Sequence, residues 1–252
     1  SGFVGIESAD LRNNIGTNSY NSDNGNYGGS NQLNNGDVCS EGPVTLASGA
    51  DIVGDAMGSS VTIAQGSGAS ISGTQTQSPA VLNYPSVDFS QVNDNKTSLI
   101  NTESPPPYGA KFYNESTRDL IIDQGKNLTL SEGTYRFRDL FLRGGSKLSI
   151  QGEVKIYIER EMIFDNGTVA NLSQVPANMQ IFVGDGPVNI QGGNQLYASI
   201  YAPDADVDVA NGSGFYGSII GKTLNAAGGA GLFFDESLAV ESSAGARAKL
   251  VQ

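Results

Sequence analysis

Along most of the chain, apolar side chains alternate with small or polar ones over runs of three to six residues, and Gly, Asn or Asp stands at the breaks. Val44-Thr-Leu46, Val61-Thr-Ile63, Leu128-Thr-Leu130, Leu148-Ser-Ile150 and Val154-Lys-Ile156-Tyr-Ile158 are runs of this kind. A period of two is the mark of a strand with one buried face. It sends Val44, Leu46, Val61 and Ile63 inward and leaves Thr45 and Thr62 outward.

These runs recur at a nearly constant offset. Leu196-Tyr-Ala-Ser-Ile-Tyr-Ala-Pro203 returns 19 residues later as Phe215-Tyr-Gly-Ser-Ile-Ile-Gly-Lys222, and Gly214-Phe-Tyr216 returns 17 later as Gly231-Leu-Phe233. Val44 and Val61 lie 17 apart, Ile52 and Ile71 lie 19 apart, and Leu128 and Leu148 lie 20 apart. Short strands separated by turns at such a period predict a coil whose turns bury their apolar faces only by stacking on one another. The expected fold is all-β: one domain over 1–252, a parallel β-helix (β-solenoid) of about a dozen rungs of 17–20 residues. The rhythm stops at 78–117, where Pro79, Pro85 and Pro105-Pro106-Pro107 argue against interior strands. This segment is expected to be a Pro-rich arm packed on the flank through Tyr84, Val87, Phe89, Tyr108, Phe112 and Tyr113. The alternative is that the arm carries a binding surface. Residues 239–252 are read as a cap or tail over the last rung, since an open strand edge templates aggregation.

Composition narrows the function classes. Charged residues make up only 16% of the 252 and Gly numbers 33, which describes a folded, turn-rich chain rather than a disordered acidic one. The net charge of −12 disfavours bulk binding of nucleic acid. Cys39 is the single cysteine, so no internal disulfide can form. No run approaches the ~20 apolar residues of a membrane-spanning helix, so a membrane connection would come only through an N-terminal anchor upstream of Ser1.

Candidate chemistry is sparse. The chain has no His, which removes Ser/His and Cys/His nucleophile pairs and the usual His-containing zinc sites. No adjacent Asp-Asp pair occurs, so a polysaccharide-cleaving site would have to be assembled from separated turns. The chain is therefore read as non-enzymatic and without a cofactor. Asp204, Asp206 and Asp208 sit at i, i+2 and i+4 and would project three carboxylates from one strand face, half of a calcium loop. Yet an EF-hand loop counted from Asp204 would need Gly and Glu where Val209 and Phe215 stand, and a solvated face is the plainer account. Arg136, Arg138, Arg143 and Lys147 place four cations within twelve residues. They form either a contact for a polyanion or, with Asp139, Glu153 and Glu159 nearby, a set of cross-rung ion pairs.

From about Leu130 to Leu238 the chain resembles a family of prokaryotic envelope domains found in proteins with a PilX-like, type IV pilus assembly N-terminus. The resemblance rests on Ser131-Glu-Gly-Thr-Tyr135, Leu148-Ser-Ile-Gln-Gly152, Val154-Lys-Ile-Tyr-Ile158, Ile200-Tyr-Ala-Pro203, Phe215-Tyr-Gly-Ser218 and Phe234-Asp-Glu-Ser-Leu238. Asn18-Ser-Tyr-Asn-Ser22 and Tyr27-Gly-Gly29 look like the family's opening segment, while Phe233-Phe234 stands where it often has His-Tyr. The resemblance implies a non-catalytic β-solenoid at the cell surface or outside the cell, a structural or adhesive module of a pilus-like or envelope system. Its partners would be pilus or envelope components, surface glycan or other cells. Two alternatives stand beside it: a carbohydrate-active β-helix enzyme, and a DNA-contacting minor pilin tip subunit. The binding work is expected of exposed side chains and the 78–117 arm, with the repeat itself serving as a shaft.

Overall fold

The computed structural model describes residues 2–77, 83–103, 111–166, 168–171, 173–240 and 247–248. Within them the protein is all-β, and successive turns of the chain pair almost throughout as parallel ladders. The offsets in the sequence are the registers of those ladders. Val44 pairs with Val61 and Ile52 with Ile71; Leu128 pairs with Leu148, Leu196 with Phe215, and Phe215 with Leu232.

Three faces surround the core, taken in chain order, the first carrying strands such as Asn127–Leu130 and Lys147–Ile150. On the second face, the column Tyr135, Ile156, Ile181, Ile200, Ile219, Phe3, Val38, Ala56 and Gln75 runs through nine paired levels. On the third, Leu140, Met162, Val188, Val207, Leu224, Ala9, Val44 and Val61 make a second inward column. All but Gln75 are buried, so stacking supplies what no single turn could hide. The corner between these faces is a register shift, at Phe137/Asp139, Ala202/Asp206 and Gly5/Ser8.

The spatial order of the levels is not the chain order. The column passes from Ile219 to Phe3, so the N-terminal strand Phe3–Leu11 lies between 219–226 on one side and 38–39 and 44–46 on the other. Gly231–Asp235 stacks on 214–217 in the same level as Phe3–Leu11. One level is thus built from both ends of the described coil, and the joint is packing rather than covalent. Phe3 meets Phe215 and Phe234 edge to face at 6.4 and 6.3 Å. A Cβ on Gly2 would stand 2.8 Å from the Phe234 ring, so only glycine lets the strand enter here.

The last strand of the N-terminal stack, Gln75–Thr76, and the start of the C-terminal stack, Asp119–Ile122, lie at opposite ends. The arm makes the return trip along the second face. That face carries apolar residues outward as well as inward: Phe182, Tyr201, Ile220, Val4, Cys39 and Met57 follow one another across the levels. Tyr84 and Val87 cover this strip, and the Tyr201 hydroxyl donates to Pro85 O at 2.5 Å. Farther along, Thr97 Oγ1 accepts from Arg136 N at 2.8 Å, and Asn95 Oδ1 accepts from Thr134 N at 2.9 Å. Ile100, Phe112 and Tyr113 then enter the main core. The arm is not strand-free, because Tyr113–Asn114 pairs antiparallel with the end strand Asp119–Ile122. Pro79, Pro105 to Pro107 and Tyr108 lie outside the described residues, as does most of 239–252. There Ala239–Val240 and Arg247–Ala248 form a two-stranded antiparallel ladder.

Ile63 departs from the expected inward packing. Among the described residues its strand is the last of the third face, no further level covers it, and it is 37% exposed.

Candidate functional site

On the first face, Gln195, Gly214, Gly231, Gly16 and Asp51 stand in register across five levels. The three glycines leave the sheet without side chains at its centre. Two residues on in each strand, Tyr216 and Phe233 fold back over the gap: a Cβ at Gly214 would lie 3.0 Å from Tyr216 Cε2, and one at Gly231 would lie 2.6 Å from the Phe233 ring. Gly16 differs. A Cβ there meets nothing within 4 Å, and its backbone is one that any residue adopts.

The rings make a column along the stack. Tyr197 stacks on Tyr216 at 4.4 Å and Tyr216 on Phe233 at 4.6 Å, with planes within 20° of parallel. Tyr27 closes the column against Phe233 at 4.2 Å. Ring faces are spent on one another, and one edge of Tyr216 and of Phe233 rests on Gly214 and Gly231 while both rings line the groove. Beside the column runs an open groove of about 560 Å³, lined by Asn18, Tyr27, Gln195, Tyr216, Phe233 and the glycine floor. Burial raises the Tyr197 hydroxyl to about 12, Tyr216 adding to it, and burial also pushes Tyr27 and Tyr216 upward. Phenols are uncharged at neutral pH in any case, and the shifts extend that state into alkaline pH.

Tyr27 is carried by the Asn-rich segment 21–35, which folds around Asn31. The Asn31 amide donates to Asn21 O, Gly25 O and Asn26 O at 3.0, 2.8 and 3.2 Å. The segment is tied to the far end of the sequence: Asp235 Oδ1 accepts from Ser22 N at 2.9 Å, and Glu236 Oε1 accepts from Ser19 Oγ at 2.6 Å and Asn35 Nδ2 at 2.9 Å. Phe234-Asp-Glu-Ser-Leu238 and Asn18 to Ser22 are thus one contact, more than 200 residues apart in the chain.

The four candidate cations do not share a surface. The corner at Phe137/Asp139 parts Arg136 on the second face from Arg143 on the third, and Lys147 opens a strand of the first. Arg136 Nε donates to Glu159 Oε1 at 2.8 Å and its Nη1 to Phe89 O at 3.1 Å, beneath the arm. Arg118 grips the same Glu159 through both carboxylate oxygens. Arg138 forks onto Asp119 at 3.1 Å and reaches Asp139, which also holds Arg160 at 2.7 Å. Arg143 lies over the Phe141 ring at 4.4 Å. Burial alone would raise Asp139 and Glu159, but their arginine partners outweigh it and hold both below the usual carboxylate range. Asp206 and Asp208 lie on the third face, where Asp206 accepts from Thr223 Oγ1 at 2.7 Å, while Asp204 falls in the corner between Ala202 and Asp206, so the three carboxylates do not share one strand face. Among the described residues no group of three or more His, Cys, Asp or Glu is arranged to hold a metal ion, and no helix is long and apolar enough to cross a membrane.

Sequence reasoning passed over the groove, although its signal lay in the repeat. Gly214-Phe-Tyr216 and Gly231-Leu-Phe233 read as a strand pattern of alternating size; the glycine is also the gap onto which the next outward ring lies down.

Residues 138–241, less than half of the chain, match a family described as a domain of unknown function, DUF7305. No curated protein matches. Among solved structures, the chain is similar to an ice-binding protein from the Antarctic ascomycete Antarctomyces psychrotrophicus, with 12% identity over 93% of each chain and a TM-score of 0.40.

Proposed function

We propose that this chain is a non-catalytic parallel β-solenoid displayed at the cell surface or outside the cell, a structural or adhesive module of a pilus-like or envelope system, and that the groove on the first face is its contact surface. The observation that carries this reading is the placement of the groove. It lies on a face that the described part of the arm leaves uncovered, with the Tyr216 and Phe233 rings over Gly214 and Gly231 and open backbone beside them at Gly16. The clustered carboxylates and arginines support a structural role, because they are spent on one another around the second-face corner. The strand Phe3–Leu11 enters at mid-height, so an upstream anchor would hold the stack from its side.

Attachment of protein-coated beads to cells and to isolated envelope tests the reading. Wild-type beads should attach, and beads carrying Gly16→Leu, which starts a branched side chain from a Cβ position with nothing within 4 Å, should attach several-fold less. Equal attachment by the two proteins would overturn the groove as the contact surface.

A further inference from the structure

The groove has a chemistry narrower than a generic contact surface, and the following rests on the reading of the groove as that surface. Its floor is glycine backbone whose N–H and C=O groups are consumed by the ladders between levels. An extended peptide laid along the groove would run across the strands and find no backbone row to pair with, which removes strand addition as the mode of binding. Tyr216 and Phe233 cover Gly214 and Gly231, so the open floor lies at Gly16, whose Cα–H groups are weak donors to oxygen. The wall offers ring edges, the electropositive rim of an aromatic quadrupole, together with the Tyr216 and Tyr27 hydroxyls, uncharged at neutral pH like any phenol. The sides carry the Asn18 and Gln195 amides. Asp51 is the one charged lining residue, and its carboxylate accepts from Ser70 Oγ at 2.7 Å.

Weak donors, ring edges and amides favour a ligand dense in uncharged oxygen. The lone carboxylate and the net charge of −12 disfavour an anion. Four steps from Gln195 to Asp51, at ~4.8 Å each, give a groove about 19 Å long, which suits a short oligomer rather than one small molecule. We infer that the groove binds a neutral oligosaccharide laid along the stack axis, its ring and hydroxyl oxygens against the Tyr216 and Phe233 edges and the open backbone at Gly16, with Gln195 at one end and Asp51 at the other.

Titration calorimetry with a neutral hexose tetramer, cellotetraose, and with a uronate tetramer of equal length tests this. The neutral tetramer should bind the whole chain, the uronate at least fivefold more weakly, and Gly16→Leu should weaken the neutral tetramer at least tenfold with an unchanged melting temperature. Gln195→Ala, at an exposed side chain, should weaken it about threefold and decides the matter should Gly16→Leu lower the melting temperature. Failure of the neutral tetramer to bind, equal binding of the uronate, or wild-type affinity in a folded Gly16→Leu or in Gln195→Ala would overturn the assignment. Bead attachment that depends on Gly16 while no saccharide binds would leave the contact surface standing and remove its ligand class.

Discussion

At one end of the stack, Tyr113–Asn114 adds an antiparallel strand beyond Asp119–Ile122, and Ile100, Phe112 and Tyr113 are buried with the core. At the other end, Ser60–Ile63, Ser70–Ile71 and Gln75–Thr76 have no level beyond them among the described residues; Ile63 is 37% exposed and Ile71 half-buried. Both ends face the same problem, an apolar column that stops and a row of backbone groups that nothing pairs. One solves it with chain brought from far away, the other with strands so short that they offer little edge. The arm explains the difference: it leaves the open end, crosses the second face, and finishes the far end with its own side chains.

The contrast can be broken most sharply at the capped end. Phe112 is 3% exposed, and Phe112→Ala should cost about 3–5 kcal/mol, read as a fall in the denaturant midpoint. Ile63→Ala at the open end should cost under ~1 kcal/mol. Comparable losses at the two sites would mean that the ends are finished alike.

A second, smaller effect separates them by pH. Asp139 and Glu159 lie toward the capped end and titrate below the usual range, so in the unfolded chain they bind protons more readily than in the folded one. Their contribution is complete above the unfolded values near ~4 and is lost as pH falls through the lowered folded values. Amide exchange measured at pH 5 and pH 3 should show protection falling more at 119–143 than at 43–63. Asp139→Asn, at a buried carboxylate serving two arginines, should cost about 1–3 kcal/mol at pH 7 and much less at pH 3. A loss independent of pH would point to shape rather than charge.

The least effect on stability is expected at the open end itself. Ile63→Lys places a charge on an edge strand, a common guard against edge pairing. It should shift stability by no more than ~0.5 kcal/mol while lowering concentration-dependent self-association in sedimentation. Unchanged sedimentation would show that short strands alone suffice.

Much of this was legible in the chain. Offsets of 17 to 20 between like residues are ladder registers, because a side chain on one level packs on its counterpart in the next. What periodicity could not carry is the order of levels. Phe3 resembles Ile219 and Val38 equally well as an inward strand residue, and only packing reveals that it stands between them. The arm hid its target for a related reason. Phe182, Tyr201 and Ile220 interrupt the alternation by being large and outward, the mark of a strand covered on both sides, yet nothing local says what covers them. The groove escaped because glycine registers in a sequence as a turn or a weak strand, whereas Gly214 and Gly231 serve as resting places for rings two residues away.

The level shared by Phe3–Leu11 and Gly231–Asp235 gives the molecule a mechanical character that an uninterrupted coil would lack. Tension applied through the N-terminus along the strand would not unwind the stack from one end. It would arrive at mid-height and load Phe3–Leu11 in shear against ladders on both of its sides at once. The first strand of the chain would act as a key driven between two halves, and the halves would yield together or not at all.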